Sequence, residues 1–437
     1  MPVYVAQESV GAFAHSTIPR LLWLNLVVLA AAFFCMDHAY GISAERQSVL
    51  EQPAEVGELV ENDSPYRNVG YVLMAASAVH VWLLRPRHKT IGFSLGLWFL
   101  CGYLLWCAAS FTWSDDPPTS ARRLVALALL ALTALGWARH LMPSNVWIIG
   151  LVIPAVHLAA GIIAELDAGT LRPWQSDYRF MGTTHPNVQG LQLALLLSSL
   201  QTARSLGRVS RKVAWPLAAL ALLVLILTRS RTALLAWLAS LLLVGLPYCR
   251  PMVQALVGLG CPFAASLFLL AGSLFYSRLF QLFGGMLLMG RTEETGTLTG
   301  RLPLWNELYW YIREQPLAGY GYGAFWTRQR MLKISESQDW VIAHAHNAFL
   351  ELVLNTGIVG LGLAVSALLC TWVPAWIRYY RTRDAAWQFA CGVSAIAAIF
   401  SMTEGVFAQH GYAMFCLLTT MGALLLHPAH NDGLAAR

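Results

Sequence analysis

VWIIGLVIPAVHLAAGII, Val146 to Ile163, contains no charged side chain. A run of that kind crosses the hydrocarbon core of a bilayer as an α-helix, which needs roughly 20 apolar residues at about 1.5 Å each. Leu21–Phe34, Ile91–Phe111, Val213–Thr228, Ala233–Leu246 and Met252–Tyr276 have the same character. With 437 residues, 57% hydrophobic and 12% charged, the chain is too apolar for an ordinary soluble protein and reads as an all-α, polytopic membrane protein. The first apolar run has neither a basic lead nor a small-residue cleavage site, so it is expected to remain as an anchor. The eight cysteines lie in or beside apolar runs without CxxC spacing, which argues against a disulfide framework or a zinc site.

Run length and periodicity predict about twelve helices, at 18–36, 68–84, 91–113, 122–138, 145–166, 187–205, 213–228, 233–249, 252–276, 346–376, 386–403 and 409–427. The chain then divides into nine spans over 1–276, a long loop at 277–343, three spans over 344–427 and a tail at 428–437. With a cytoplasmic N-terminus, RPRHK (85–89), ARH (138–140), ARSLGRVSRK (203–212), Arg250 and RYYRTR (378–383) all fall inside, as the positive-inside rule expects. The acidic segment 44–67, SDDPPTS (114–120), 167–186, TRSRT (228–232), the long loop and the turn near Glu404 fall outside. Both termini are then cytoplasmic.

About half of the arginines nevertheless lie outside, including Arg278 and Arg291, against one of three lysines, Lys333. A guanidinium offers a planar fork suited to two-pronged phosphate binding, whereas lysine is a point charge. The outer arginines therefore suggest an anionic ligand; snorkelling to lipid headgroups is the alternative for any one of them. In RFMGTTHPN (179–187), Pro186 holds His185 extended at a helix entrance, beside Arg179. In TRSRTALLA (228–236), Arg229 and Arg231 occupy a short connection at membrane depth, and Arg231 opens a helix whose backbone N–H groups favour anions. In TGRLPLWNELYWYIREQPLAGYGYGAF (299–325), residues 303–314 form an amphipathic surface helix opened by Arg301. The Gly-Tyr-Gly-Tyr-Gly run at 319–323 is expected to be a flexible turn and not a nucleotide loop, because no strand precedes it.

The fourth patch is HAHNAFLELVLNTGIVGL (344–361), where Asn347, Glu351 and Asn355 recur every four residues and make one polar stripe on an apolar helix. Such a stripe faces a protein-lined cavity, with His344 and His346 at its mouth. There an imidazole with an ordinary pKa of about 6.5 is kept neutral by neighbouring guanidiniums and can accept a proton. Asp115 and Asp116 are read as a turn in preference to a cation site, and His80 and His157 as satisfied core histidines.

R-x-x-G-x-x-H-P-N (179–187), S-R-T (230–232), G-R-x-x-x-W (300–305), G-Y-G-Y-G-x-F (319–325) and H-x-H-N-x-x-L-E-x-x-x-x-x-G-I-x-G-L (344–361) occur in the order in which they resemble the O-antigen ligase family, over about residues 110–405. That family is related to O-antigen polymerases and protein O-oligosaccharyltransferases. The resemblance implies a GT-C-type glycosyltransferase of the bacterial inner membrane, working at the periplasmic face. It would move an O-antigen glycan from undecaprenyl pyrophosphate to a sugar hydroxyl of lipid A-core, by single displacement with inversion, without metal or cofactor. Carried over, His346 is the base, with His344 the alternative; Arg231 and Arg301 hold the pyrophosphate, assisted by Arg179 and His185; Asn347 and Glu351 orient the imidazole. The expected partners are the lipid-linked donor, the lipid A-core acceptor and membrane lipids, with no nucleic acid. A polymerase, a protein oligosaccharyltransferase and, in another class, a lipid-linked glycan transporter are the rival readings. The transporter predicts mid-bilayer polar groups and internal symmetry, whereas the polar groups gather at one face.

Overall fold

The computed structural model describes residues 20–38, 65–86, 94–176, 178–254, 297–338, 342–405 and 410–427. Among these the fold is all-helical, without a strand. The helices are α1 (Arg20–Asp37), α2 (Pro65–Leu83), α3 (Leu95–Ala109), α4 (Pro117–Ala138), α5 (Trp147–Asp167), α6 (Pro186–Ser205), α7 (Arg211–Leu227), α8 (Arg231–Gly245), α9 (Thr297–Glu314), α10 (Arg328–Gln338), α11 (Ala348–Thr382), α12 (Gln388–Phe400) and α13 (Tyr412–Leu426). Five stretches are long and apolar enough to cross a membrane: Leu95–Trp113, Pro117–Ala138, Pro143–Asp167, Arg231–Tyr248 and Ala348–Thr382. Apart from 252–276, each expected apolar span coincides with a helix displaced by a few residues at its ends. The span 252–276 beyond residue 254, the acidic segment up to residue 64, Arg278, Arg291 and the tail lie outside the described residues.

Local chemistry sets the helix starts. Asp116 accepts the Thr119 amide at 3.1 Å and caps α4, with Pro117 in the first turn, while Asp115 pairs with Arg330. Both acidic groups of the DDPP turn are thus engaged within the fold. The amphipathic helix begins earlier than expected, so that Arg301 lies inside α9 instead of opening it. Pro303 removes one intrahelical donor there without ending the helix.

Small residues let the helices approach. Gly150 of α5 lies against Ser199 and Phe389, Gly392 of α12 against Ser198, and Gly190 of α6 against Ser230 and Ala233. Polar side chains within this packing are paired: Asn25 bonds Ser77, His80 and Trp137, and His157 bonds the Ala30 carbonyl at 3.0 Å and Gln192 at 3.1 Å. One end of the bundle collects the C-terminal ends of α1, α7 and α12 with the N-terminal ends of α6, α8, α11 and α13. Bonds such as Tyr412 N to Asp37 Oδ2 (2.8 Å), Arg179 Nε to the Thr228 carbonyl (2.8 Å) and Ala348 N to the Ser401 carbonyl (2.8 Å) join them. Basic residues Arg139 and Arg383 lie at the other end, where Tyr248 donates to the Arg383 carbonyl.

α11 is broken at Gly357, whose φ of 66° and ψ of −174° are not helical. The long loop docks into this break. Tyr320 N donates to the Leu354 carbonyl and Ile358 N to the Pro316 carbonyl, both at 2.9 Å, and Trp106 Nε1 takes the Thr356 carbonyl at 2.8 Å. Backbone groups freed inside an apolar bundle must find such partners. Gly319, at φ 65°, fits against the same break, and a Cβ on it would stand 2.6 Å from Gly357 N. A Cβ at Gly357 would meet the Leu317 carbonyl oxygen at 2.0 Å. Gly357→Ala is therefore expected to cost on the order of 3 kcal/mol and to lower the Tm of the detergent-purified protein by several degrees. Gly362→Ala, which meets nothing within 4 Å, should leave Tm unchanged or slightly raised.

Candidate functional site

The histidine loop is built from its backbone outward. Asn347, extended at φ −158°, caps α11 by accepting the Phe349 and Leu350 amides at 3.0 and 3.1 Å, and its Nδ2 donates to the Met402 carbonyl at 3.2 Å. His346, just before it, is held at φ 48°, a left-handed conformation uncommon for a residue with a Cβ. The His344 and His346 rings stand edge to face with centroids 3.9 Å apart. Glu351, buried one turn into α11, accepts Trp326 Nε1 at 2.7 Å, the Ala345 amide at 2.9 Å and Asn355 Nδ2 at 3.3 Å. Its carboxylate thereby grips the backbone between the two histidines. Asn347 and Glu351 hold the loop; the carboxylate that faces the imidazole is another one.

That carboxylate is Glu404, in the turn after α12. Its Oε2 lies 3.8 Å from His346 Nδ1, and its Oε1 accepts Asn187 Nδ2 at 2.7 Å and lies 3.6 Å from Arg301 Nη2. Asn187 Oδ1 in turn accepts Arg179 Nη2 at 3.1 Å, and Arg179 Nε reaches the Thr228 carbonyl at the end of α7. Arg179 thus braces Asn187. His185 caps α6 through Nδ1 on the Asn187 amide at 3.3 Å and remains exposed at the helix entrance. Arg231, half-buried, opens α8; its neighbour Thr232 accepts the Thr403 hydroxyl at 3.1 Å, so the α8 N-terminus abuts the Glu404 turn. Arg229 reaches the Ser176 carbonyl instead.

Burial is the largest influence on His346 and lowers its pKa; Glu404 opposes this, His344 and Arg301 add to it, and the ring ends at about 4. It is neutral at pH 7. Burial pushes the Glu404 carboxyl up, but His346, His344 and Arg301 outweigh it and hold the group at about 2. His344, His346 and Glu404 place ligand atoms within 4.8 Å of one another, a spacing compatible with a divalent ion. Arg301 already brings positive charge to the same carboxylate, so a cation there would face a guanidinium.

Residues 216–365 match a protein-family model described as O-Antigen ligase. The chain is also 28% identical over 151 residues to Exopolysaccharide production protein ExoQ of Rhizobium meliloti (strain 1021), a match covering 33% of this chain and 35% of that protein. It thus spans about a third of the length of the curated relative it matches. Arg231, Arg301, His344, His346 and Glu351 fall within residues 216–365, whereas Arg179, His185, Asn187 and Glu404 fall outside. Glu404 is the site residue missed by reading motifs; the available signal was its being the sole carboxylate in 385–427.

Replacing Glu351 by Gln leaves one of the Trp326, Ala345 and Asn355 donors facing an amide N–H. This should cost about 1–3 kcal/mol and speed hydrogen exchange in the 342–347 loop, which exchange mass spectrometry would detect. Unchanged protection there would remove the gripping role.

Proposed function

We propose that this chain, whose residues 216–365 match the O-antigen ligase family model, transfers a glycan from a lipid-linked diphosphate donor to a sugar hydroxyl, as an O-antigen ligase acting on undecaprenyl pyrophosphate-linked O-antigen and lipid A-core. The acceptor oxygen attacks the anomeric carbon, the carbon–oxygen bond to the diphosphate breaks, and the electron pair leaves with the phosphate. The acceptor's proton passes to His346. One displacement inverts the anomeric centre. Guanidiniums from Arg301 and Arg231 take up the charge that grows on the departing diphosphate, and Arg179 and His185 border the entrance. A glycosyl diphosphate already carries a good leaving group, so neither nucleotide, cofactor nor metal enters the scheme. In this reading the chain has twelve spans in a GT-C arrangement in the bacterial inner membrane, with cytoplasmic termini. The pocket end is periplasmic, and the long loop containing α9 and α10 lies over it.

The observation that supports this reading most is one half-buried carboxylate, Glu404, facing both the His346 imidazole and the Arg301 guanidinium at the end of the bundle where the α6, α8 and α11 N-termini gather. A general base and a phosphate clamp are the two groups the reaction requires. A polymerase reading, with a second lipid-linked glycan as acceptor, is favoured by the exopolysaccharide name of the matched relative. Loss of a ligase should leave truncated lipopolysaccharide while polymer accumulates on its carrier lipid; loss of a polymerase should leave core capped by one repeat.

Reconstitution with lipid-linked donor and acceptor tests the chemistry. Covalent transfer without ATP supports it, and movement of the donor without transfer favours the transporter. His346→Ala and Arg301→Ala are each expected to lower turnover about 10²–10³-fold, and Arg301→Lys should not restore it, because an ammonium lacks the two-pronged fork. Full activity in all three variants would remove the proposed site. The free-enzyme His346 is neutral above about pH 4. As a base it is competent there, so kcat/KM for the donor should be level from about pH 6 to 8 and fall as acidification protonates the ring.

A further inference from the structure

Glu404 joins sequence patches that no motif joins. One oxygen is held by Asn187 of α6 at 2.7 Å and lies 3.6 Å from Arg301 of α9; the other faces Nδ1 of His346 at 3.8 Å. Its side chain is 12% exposed. Burying an ionised carboxylate is unfavourable unless charge and hydrogen-bond donors compensate it, and each donor here comes from a different part of the chain.

We propose that Glu404 is the positioning residue of this site: it holds the His346 ring by its Nδ1 edge, leaves Nε2 for the acceptor hydroxyl, and offsets the imidazolium that forms. This rests on the glycan-transfer reading above. The proposal requires the tautomer with its hydrogen on Nδ1, on the side of the carboxylate 3.8 Å away, and the lone pair on Nε2. The hydroxyl proton moves to Nε2 as the oxygen bonds to carbon, and the resulting cation lies against Glu404. The separation of 3.8 Å is longer than a hydrogen bond and is expected to shorten as the ring becomes charged.

Because Arg301 shares the carboxylate, the arrangement also links donor binding to base strength. The charged and titratable groups around His346 are His344 on its own loop, Arg301 from α9 and Glu404 from the turn after α12, with Glu351 gripping the loop from α11. Before the donor arrives, the Glu404 charge is divided between Arg301 and the ring. A diphosphate on Arg301 adds negative charge and leaves more of the carboxylate's field to the ring. His346 then holds its proton more tightly and becomes a stronger base once the leaving group is in place. The acid limb of kcat, which reports the donor-bound enzyme, should therefore lie at higher pH than that of kcat/KM for the donor.

The test compares the purified full chain with Glu404→Gln, Glu404→Asp, His346→Ala and the double variant Glu404→Gln/His346→Ala, in transfer from lipid-linked donor. Glu404→Gln is expected to lower kcat at least 30-fold, with donor KM unchanged or lower because Arg301 is released. Its acid limb of kcat should move about one pH unit lower, a tenfold change in protonation. Glu404→Asp should recover part of the rate and shift the limb back. In the His346→Ala background, Glu404→Gln should cost almost nothing further, since a residue acting through the ring has nothing left to act on. Equal losses in both backgrounds, or an unmoved acid limb, would make Glu404 a structural group and overturn the proposal. Loss of the glycan-transfer reading looks different: no transfer by the unmodified chain, or full activity of His346→Ala.

Discussion

An ionised carboxylate at the end of an apolar bundle persists only while opposite charge and donors face it. Glu404 obtains them from Asn187, Arg301 and the His346 ring. The first turn of α6, the amphipathic α9, the loop before α11 and the turn after α12 must therefore converge on one point. Removing a single partner leaves the others misaligned or uncompensated. The same constraint holds Arg301 beside the carboxylate, while burial keeps the His346 ring neutral despite the negative charge next to it.

Convergence of this kind requires a rigid frame. The described part of the long loop, 297–338, is tied to the bundle: its backbone fills the Gly357 break in α11, and Arg330 stacks over Tyr320 and Phe325 while pairing with Asp115 at the head of α4. Leu304, Leu308, Phe325, Trp326 and Ile334 form a small core that extends to Leu354 of α11. Arg301 rides on that core. Trp326 also donates to Glu351, so the packing that seats α9 also steadies the histidine loop. The polar stripe of Asn347, Glu351 and Asn355 serves the backbone, through one helix cap and one carboxylate grip.

The proposed reaction is one in which negative charge leaves and a proton is taken up within a few ångströms. In that reaction a guanidinium, which keeps its protons at any working pH, would answer the departing phosphate, while a neutral imidazole would answer the hydroxyl. A carboxylate between them keeps the two positive developments from opposing each other. Low dielectric around the pair strengthens each interaction relative to water.

The apolar runs made the helices legible, because a period of 3.6 residues and a length near that of a bilayer core are local properties of a chain. The caps were equally local: Pro186 after His185, Asp116 before Pro117 and Asn347 before the apolar stripe each act within a few residues. The histidines and the outer arginines were visible as types out of place among apolar spans. Their mutual arrangement was not. Glu404 bonds Asn187 across 217 positions, and no local pattern distinguishes that carboxylate from one that caps a turn. Glu351 shows the converse, since its place on the helix face suggested a partner for the imidazole, whereas the folded loop turned it toward the Ala345 backbone. Which charge meets which depends on how helices distant along the chain pack their ends together, and that is a property of three-dimensional contact which periodicity in one dimension does not encode.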